Sequence, residues 1–124
     1  LRADSGGAGT TRGGLGQIIE IESAIGKPFD ILAAFDRVTF PPRGREGGHN
    51  GASGIVAKIN SDGVQQTMRS KGAQTVLAGE RLMIQTPGGG GIGAPDQRQR
   101  KALEKDLRDG FISAESAAKI YGVS

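Results

Sequence analysis

The hydrophobic positions of this chain recur with a period of two before residue 86 and at helical spacing after residue 95. Over residues 17–86, short runs of alternating apolar and polar side chains are typical of β-strands that bury one face. Residues 60–63 read Asn-Ser-Asp-Gly, which favours a tight turn and predicts a hairpin. The pattern therefore predicts a β-rich fold (mainly β, α+β), an antiparallel sandwich or distorted barrel followed by a C-terminal pair of short helices.

The alternation also predicts how far the first two strands are buried. Within residues 17–25, Ile19 and Ile21 share one face while glutamates occupy the other, as in a half-buried strand. Residues 29–35 carry small or apolar side chains on both faces. We therefore expect that second strand to be covered on each side.

The apolar positions after residue 95 predict two short helices. We expect the first to run from Asp96 to a stop at Gly110, with Leu103 on its apolar face. Ser113 has the side chain to cap a second helix, which Gly122 ends.

Three segments outside the predicted strands are rich in glycine, residues 1–16, 36–51 and 86–95. Glycine makes up 22 of the 124 residues, and prolines or charged side chains accompany it in these segments. We expect fixed loops that lie against one another or against further protein, because glycine allows close backbone approach. A flexible joint is the alternative for the last segment.

The predicted elements divide the chain into two parts. Residues 1–95 are a glycine-rich β domain, made of a loop (1–16), strands (17–86) and a Gly loop (87–95). Residues 96–124 are a helical hairpin. The chain starts at Leu1 without an initiator Met and has few aromatic residues for a core, so we expect a fragment of a longer subunit.

Charged side chains in the loops are the candidate binding residues. Arg12, Asp36, Arg37 and Arg43 are expected to make loop or anion contacts, including ion pairs of the arginines with Asp4, Asp36 or carboxylates of a partner. We assign no catalytic and no metal-binding residue, because the sequence pairs no nucleophile with a base and places no ligand-type partner near its single histidine. No Lys-Ser or Lys-Thr follows the four consecutive glycines, as a phosphate-binding P-loop would require.

The charge pattern argues against nucleic-acid and membrane partners. The formal net charge is +3, and basic and acidic residues are interspersed, which is typical of a mixed solvated surface. The chain has no cysteine. No apolar run approaches the roughly 20 residues of a membrane span, so we expect a cytoplasmic protein.

Four groups of residues resemble one known family. They are residues 2–9 with 12–16 (Arg-Ala-Asp-Ser-Gly-Gly-Ala-Gly and Arg-Gly-Gly-Leu-Gly), residues 36–37 with 40–44 and 47–48, residues 78–82 with 86–91, and residues 106–113 with 117–118 and 121–123. In this order they resemble the C-terminal part of the hydantoinase B / oxoprolinase family, which includes a large subunit of acetone carboxylase. One departure is Ile92, where family members often have an aromatic residue.

The resemblance implies a C-terminal structural domain of a hydantoinase B-type subunit. The whole enzyme would be an ATP-dependent cyclic amidase that opens N-methylhydantoin or oxoproline rings; a related ketone carboxylase is the alternative. The implied partners are the remainder of the subunit, a hydantoinase A-type subunit that handles ATP, and further copies in an oligomer. The acidic and histidine-rich motifs that resemble metal sites in the carboxylase branch of the family lie far upstream of the matching region. We therefore expect no activity and no cofactor in this segment alone, while the resemblance implies ATP, and allows a divalent metal, in the parent enzyme.

Two functions of another class are compatible with parts of the sequence. Residues 113–124 resemble the first helix and turn of a helix-turn-helix, but the sequence has no following recognition helix. An independent protein-interaction domain is the other alternative.

Overall fold

The computed structural model describes residues 1–123, which form six strands in two antiparallel sheets and two C-terminal helices. The strands are β1 (Ile18–Ile21), β2 (Phe29–Ala34), β3 (Ile55–Ile59), β4 (Gln65–Thr67), β5 (Lys71–Val76) and β6 (Arg81–Gln85). One sheet has the order β1-β6-β3-β4, and β2 and β5 form the other. The prediction of a β-rich antiparallel fold followed by short helices is confirmed. Ser124, the last residue of the predicted helical hairpin, lies outside the described residues.

A small aliphatic core joins the two sheets. Val56 of β3 and Leu82 of β6 belong to the same buried cluster as Val76 of β5. Phe29 and Ile31 of β2 pack against this cluster from the second sheet. Because both sheets contribute inward-facing side chains, the strands have the packing of a sandwich.

The predicted hairpin between β3 and β4 is confirmed. The Asn60 N–H donates to the Val64 carbonyl at 3.1 Å, and the Gly63 N–H donates to the Asn60 carbonyl at 3.0 Å. The Asn60 side-chain oxygen also accepts from the Val64 N–H at 2.9 Å. Gly63 has φ +78°, the conformation that glycine adopts at little cost.

β1 is less buried than its sequence pattern predicts. Ile19 and Ile21 lie opposite Ile84 and Leu82 of β6, so all four share the core-facing side of the sheet. Ile19 and Ile21 nevertheless remain 38% and 45% exposed. The expectation of a half-buried strand is wrong because the buried cluster reaches β6 but includes neither isoleucine.

β2 is covered on one face only. Ala33 on the inner face is buried, whereas Leu32 on the outer face is 82% exposed. The expectation that this strand is covered on each side is therefore wrong. Its inner face meets the core, and alternation of side chains directs the intervening residues away from that core.

The C-terminal region holds a 3-10 turn, Pro95–Gln97, and the helices α1 (Arg100–Arg108) and α2 (Ala114–Tyr121). The first helix begins at Arg100 and not at Asp96, since the extended backbone of Arg98 separates the turn from the helix. Across residues 1–123, neither helix has the length and apolar character of a membrane span.

The predicted helix boundaries at Gly110, Ser113 and Gly122 are confirmed. The Ser113 hydroxyl oxygen accepts from the Ser116 N–H at 3.1 Å and so caps α2. Gly110 and Gly122 have φ values of +71° and +68°, as expected for residues that end helices. A second small core made of Leu103, Ile112 and Ala117 holds the two helices together.

Candidate functional site

The three glycine-rich segments meet in one place, which we call the glycine-loop bundle (residues 5–16, 43–52 and 86–93). Main-chain hydrogen bonds join all three segments. The Gly7 N–H donates to the Gly89 carbonyl at 2.8 Å, and the Gly91 N–H donates to the His49 carbonyl at 2.9 Å. The His49 N–H in turn donates to the Ala8 carbonyl at 2.7 Å. The prediction that these loops lie against one another is confirmed.

Most glycines of this bundle are required for space, and only Gly47 and Gly93 also have left-handed backbone, with φ values of +88° and +75°. A Cβ on Gly13 would lie 2.0 Å from the Gly89 carbonyl oxygen, and one on Gly90 would lie 2.1 Å from the Arg43 carbonyl oxygen. Neither residue has a positive φ. The segments therefore approach one another closer than any side chain would allow.

Two residues near the start of the chain, Arg2 and Ser5, fix the first glycine segment in place. Arg2 Nη1 donates to the Ser53 carbonyl at 2.7 Å and to the Thr86 carbonyl at 3.1 Å. Ser5 is buried, and its hydroxyl donates to the Arg2 carbonyl at 2.6 Å while accepting from the Gly16 N–H at 2.9 Å. These contacts satisfy main-chain carbonyls and amides, and the ion pair that the sequence suggested for this segment is made instead by Arg12, with Asp106.

The bundle is joined to the helices by a cluster that we call the Asp106 clamp (Arg12, Arg98 and Asp106). Arg12 donates from Nε to Asp106 Oδ2 at 3.0 Å and from Nη2 to Oδ1 at 3.2 Å. Arg98 donates from Nη2 to Oδ2 at 2.7 Å. The Nη1 group of each arginine donates to a main-chain carbonyl, from Arg12 to Gly13 at 2.6 Å and from Arg98 to Thr10 at 3.2 Å. The clamp is thus a charge-assisted link between the first glycine segment and α1.

Burial and charge act in opposite directions on the Asp106 carboxyl. Asp106 is only 4% exposed, and burial alone would raise its pKa. The hydrogen bonds and positive charge of Arg12, together with those of Arg98, outweigh that effect and lower the pKa of Asp106 below its usual value. The Arg12 guanidinium also lies 5.6 Å from the centre of the Phe111 ring, which extends the link to the end of α1.

Asp4 connects the first segment to α2 and not to an arginine. Its carboxylate accepts from the Ser113 N–H at 2.9 Å, and its own N–H donates to the Phe111 carbonyl at 3.0 Å. Burial alone would raise the pKa of Asp4, but the hydrogen bonds from Ser113 and Ser116 lower it. The expected pairing of an arginine with Asp4 is therefore wrong, because that carboxylate lies at the N-terminus of a helix, which favours an anion.

The four candidate binding residues do not form one site. Arg12 belongs to the Asp106 clamp, whereas Asp36, Arg37 and Arg43 are exposed. Asp36 accepts from Lys71 Nζ at 2.6 Å, and this hydrogen bond and charge lower the pKa of Asp36. No ion pair of Arg37 or Arg43 is present within residues 1–123. The expected pairing of Asp36 with an arginine of the loops is therefore wrong.

Two open cavities adjoin Asp36 and Arg37. One of about 280 Å³ is lined mainly by apolar side chains, including Phe35, Ile55 and Pro87. The other, of about 440 Å³, extends towards Phe40 and Lys71. In the part of the chain that the structure describes, no group of three histidine, cysteine or acidic side chains is placed to hold a metal ion.

The Asp106 clamp is the part of the site that the sequence did not predict. Arg98 and Asp106 fall in a stretch of mixed charge that is typical of a solvated surface. One signal was present, since Asp106 follows Leu103 by three residues and so shares its buried helical face. A carboxylate on an apolar face requires a buried partner.

The fold and the bundle define a β-rich module in which glycine segments are held against two helices. The hydantoinase B/oxoprolinase family matches this chain over residues 1–95. The chain therefore belongs to the hydantoinase B/oxoprolinase family, as its sequence motifs indicated.

Two relatives and two solved structures illustrate this membership. The chain is 42% identical to 5-oxoprolinase 1 of Arabidopsis thaliana over 76% of its own length and 7% of the relative's. It is 32% identical to the caprolactamase subunit beta of Pseudomonas jessenii over 99% of its length and 22% of the relative's. The crystal structure of ATP-dependent caprolactamase from the same organism superposes with a TM-score of 0.79 at 29% identity, covering 99% of this chain and 22% of that one.

The nucleotide-free structure of acetone carboxylase shares the fold, with a TM-score of 0.76 at 19% identity over 100% of this chain and 21% of that one. The chain thus spans less than a quarter of each of these proteins. The caprolactamase relative is itself named as one subunit of an enzyme.

Proposed function

We propose that this chain is the C-terminal structural domain of a hydantoinase B-type subunit of an ATP-dependent cyclic amidase, and that it is not catalytic alone. The observation that carries this proposal is the hydrogen bonding and lowered pKa of Asp106, the one buried charged side chain among residues 1–123. Both of its oxygens accept hydrogen bonds from arginines. A carboxylate with a lowered pKa and no free oxygen is poorly suited to general acid or base catalysis, which needs a pKa near the working pH.

The reaction of the parent enzyme would be the opening of a cyclic amide such as N-methylhydantoin or oxoproline. Its relatives include proteins named 5-oxoprolinase and caprolactamase, and the caprolactamase of Pseudomonas jessenii is described as ATP-dependent. The remainder of the subunit would carry the catalytic residues and any divalent metal, and a hydantoinase A-type subunit would bind ATP. The assembled enzyme would be a cytoplasmic oligomer.

Asp36, Arg37 and Arg43 would contact polypeptide of the parent enzyme outside this chain. All three are exposed at the edge of the glycine-rich segments. Arg37 holds a left-handed backbone with φ +58°, which costs a non-glycine residue about 1 kcal/mol. A contact with a carboxylate or carbonyl of the parent enzyme would offset that cost.

The test is an activity measurement on the full-length subunit produced with its hydantoinase A-type partner. ATP-dependent ring opening of 5-oxoproline, N-methylhydantoin or caprolactam is the expected result, with none from the purified 124-residue chain. Turnover by the short chain that a point substitution within it abolishes would overturn the proposal. Carboxylation of acetone without ring opening would replace the amidase with the ketone carboxylase alternative.

A further inference from the structure

β1 leaves an unprotected edge on the larger sheet. It is the terminal strand in the order β1-β6-β3-β4, and β6 is its one strand partner within residues 1–123. Its sequence is Ile-Ile-Glu-Ile, with no proline or lysine to discourage pairing. The opposite edge strand, β4, is short and wholly polar, with the sequence Gln-Gln-Thr. The apolar edge at β1 is therefore typical of an edge that another strand covers, whereas the polar edge at β4 is typical of one that faces solvent.

The register shows which main-chain groups of β1 point away from the sheet. The Thr86 N–H donates to the Gln17 carbonyl at 2.9 Å, which makes those two residues a hydrogen-bonded pair. Antiparallel pairs alternate in type, so Ile19 and Ile21 direct their N–H and C=O groups towards β6. The N–H and C=O groups of Ile18 and Glu20 consequently point outward to the free edge.

Apolar side chains accompany that edge on both faces of the sheet. Ile18 is 51% exposed on one face, while Ile19 and Ile21 are partly exposed on the core-facing side. Glu20 carries the one charge on the strand, and its carboxylate already lies 3.2 Å from Arg81 Nε. A strand added at this edge would form hydrogen bonds with the outward main-chain groups and would pack against the apolar side chains beside them.

We propose that an extended segment of the parent subunit, outside this chain, adds to the sheet as a strand beside β1. This proposal rests on the proposed function, because it needs a parent subunit. The segment would pair its main chain with Ile18 and Glu20 and would place apolar residues at alternate positions beside Ile19 and Ile21. The caprolactamase subunit beta contains several times more polypeptide than the 22% that this chain matches, which is ample to supply such a strand.

A second copy of this chain is a poorer occupant of the same edge. β1 has four residues and, at about 3.3 Å per residue, is only about 13 Å long. A β1-to-β1 contact would bury far less than the roughly 1,200 Å² of a stable specific interface. A covalently connected segment needs no such area, because its effective concentration is set by the chain.

Hydrogen exchange on the full-length subunit tests the proposal residue by residue. After correction for intrinsic rates, we expect the Ile18 and Glu20 amides to exchange about 100-fold slower than exposed, unpaired amides. The Gln65 and Thr67 amides of β4 provide the matched control, because the Met68-to-Val56 hydrogen bond places them on the outward side of the polar edge. They should exchange fast, whereas Ile19 and Ile21 should be protected through β6.

Three results would overturn the proposal. The first is fast exchange of the Ile18 and Glu20 amides in the full-length subunit. The second is protection of these amides that falls on dilution, which would indicate pairing with a second copy. The third is a reading frame that encodes these residues alone. Hydrogen exchange is measured independently of turnover. A missing strand contact is therefore distinguishable from a failure of the proposed amidase function.

A pair of proline variants adds a second readout. Ile18→Pro removes one outward N–H without deleting a β1–β6 hydrogen bond, and Thr67→Pro does the same at the β4 edge. We expect Ile18→Pro to restore fast exchange at Glu20 and Thr67→Pro to leave it slow. Equal Glu20 exchange in both variants would contradict the proposal; if Ile18→Pro does not fold, the exchange of the unsubstituted subunit decides.

Discussion

Gly88 and the Ser5 carbonyl are so close that a Cβ built on Gly88 would lie 1.7 Å from the Ser5 oxygen. Ser5 is itself buried and cannot move away without losing its hydrogen bonds to Arg2 and Gly16. We therefore expect Gly88→Ala to lower the free energy of unfolding by about 3 kcal/mol, at the upper end of the cost of overpacking a core. Urea unfolding of the variant and the unsubstituted protein gives the value.

Gly14→Ala is the matched control for that substitution. Gly14 lies in the same bundle, but a Cβ there would meet no heavy atom within 4 Å and its φ is not positive. The change should be neutral or should raise the free energy of unfolding by up to about 1 kcal/mol. Equal destabilisation by both variants would contradict the view that close approach is what requires glycine.

Asp106→Asn should destabilise the protein by about 3–5 kcal/mol, because it removes the negative charge from two largely buried arginines. Glu104→Gln on the same helix is the control, since the Glu104–Arg100 pair is exposed and should contribute less than about 1 kcal/mol. Urea unfolding measures both. A similar small loss for the two variants would show that the clamp does not hold the helices to the bundle.

Stability should fall in acid in a way that depends on Asp106. The folded pKa of Asp106 lies below its ordinary value of 3.8, so its carboxylate stabilises the fold above that pH. The contribution falls as the pH drops below 3.8, because the unfolded state then binds a proton that the folded carboxylate does not, and it is lost once the pH has fallen through the folded pKa. Urea midpoints from about pH 6 to about pH 2 should show a shallower acid decline for Asp106→Asn. An unchanged slope would assign the acid sensitivity to other groups, such as Asp4.

Arg37→Ala should change the free energy of unfolding of this chain by less than about 0.5 kcal/mol, because the side chain is exposed and has no ion-pair partner in the described part of the chain. Thermal or urea unfolding checks this. If the same substitution costs clearly more in the full-length subunit, Arg37 contacts polypeptide outside this chain. An equally small effect in both would contradict the proposed contact.

Local signals in the sequence predict most of the secondary structure. The Asn60 turn and the Ser113 cap were predictable because each depends on hydrogen bonds between residues close in the chain. The exposure of Ile19 was not predictable. Alternation identifies the face of the strand that a side chain occupies, but not whether another element covers that face. That depends on how far the second sheet extends.

The partners of Asp106 in the clamp could not be predicted either, because they too depend on the tertiary structure. Arg12 and Asp106 are 94 positions apart in sequence, and nothing local specifies that they meet. The glycine-loop bundle was predictable in part, because glycines beside prolines and charges indicate fixed loops. Which carbonyl each glycine faces depends on the assembled backbone.

The bundle also determines when the fold can form during synthesis. Its hydrogen bonds connect residues that are far apart in sequence, as in the bond from the Gly7 N–H to the Gly89 carbonyl. Contacts of such separation are costly in loop-closure entropy, so we expect them to form late in folding. A nascent chain that ends before residue 86 can form the β3–β4 hairpin. Its first glycine segment, however, cannot yet form hydrogen bonds with the third glycine segment. The first glycine segment therefore cannot complete its main-chain hydrogen bonds until residues 86–93 have been synthesised.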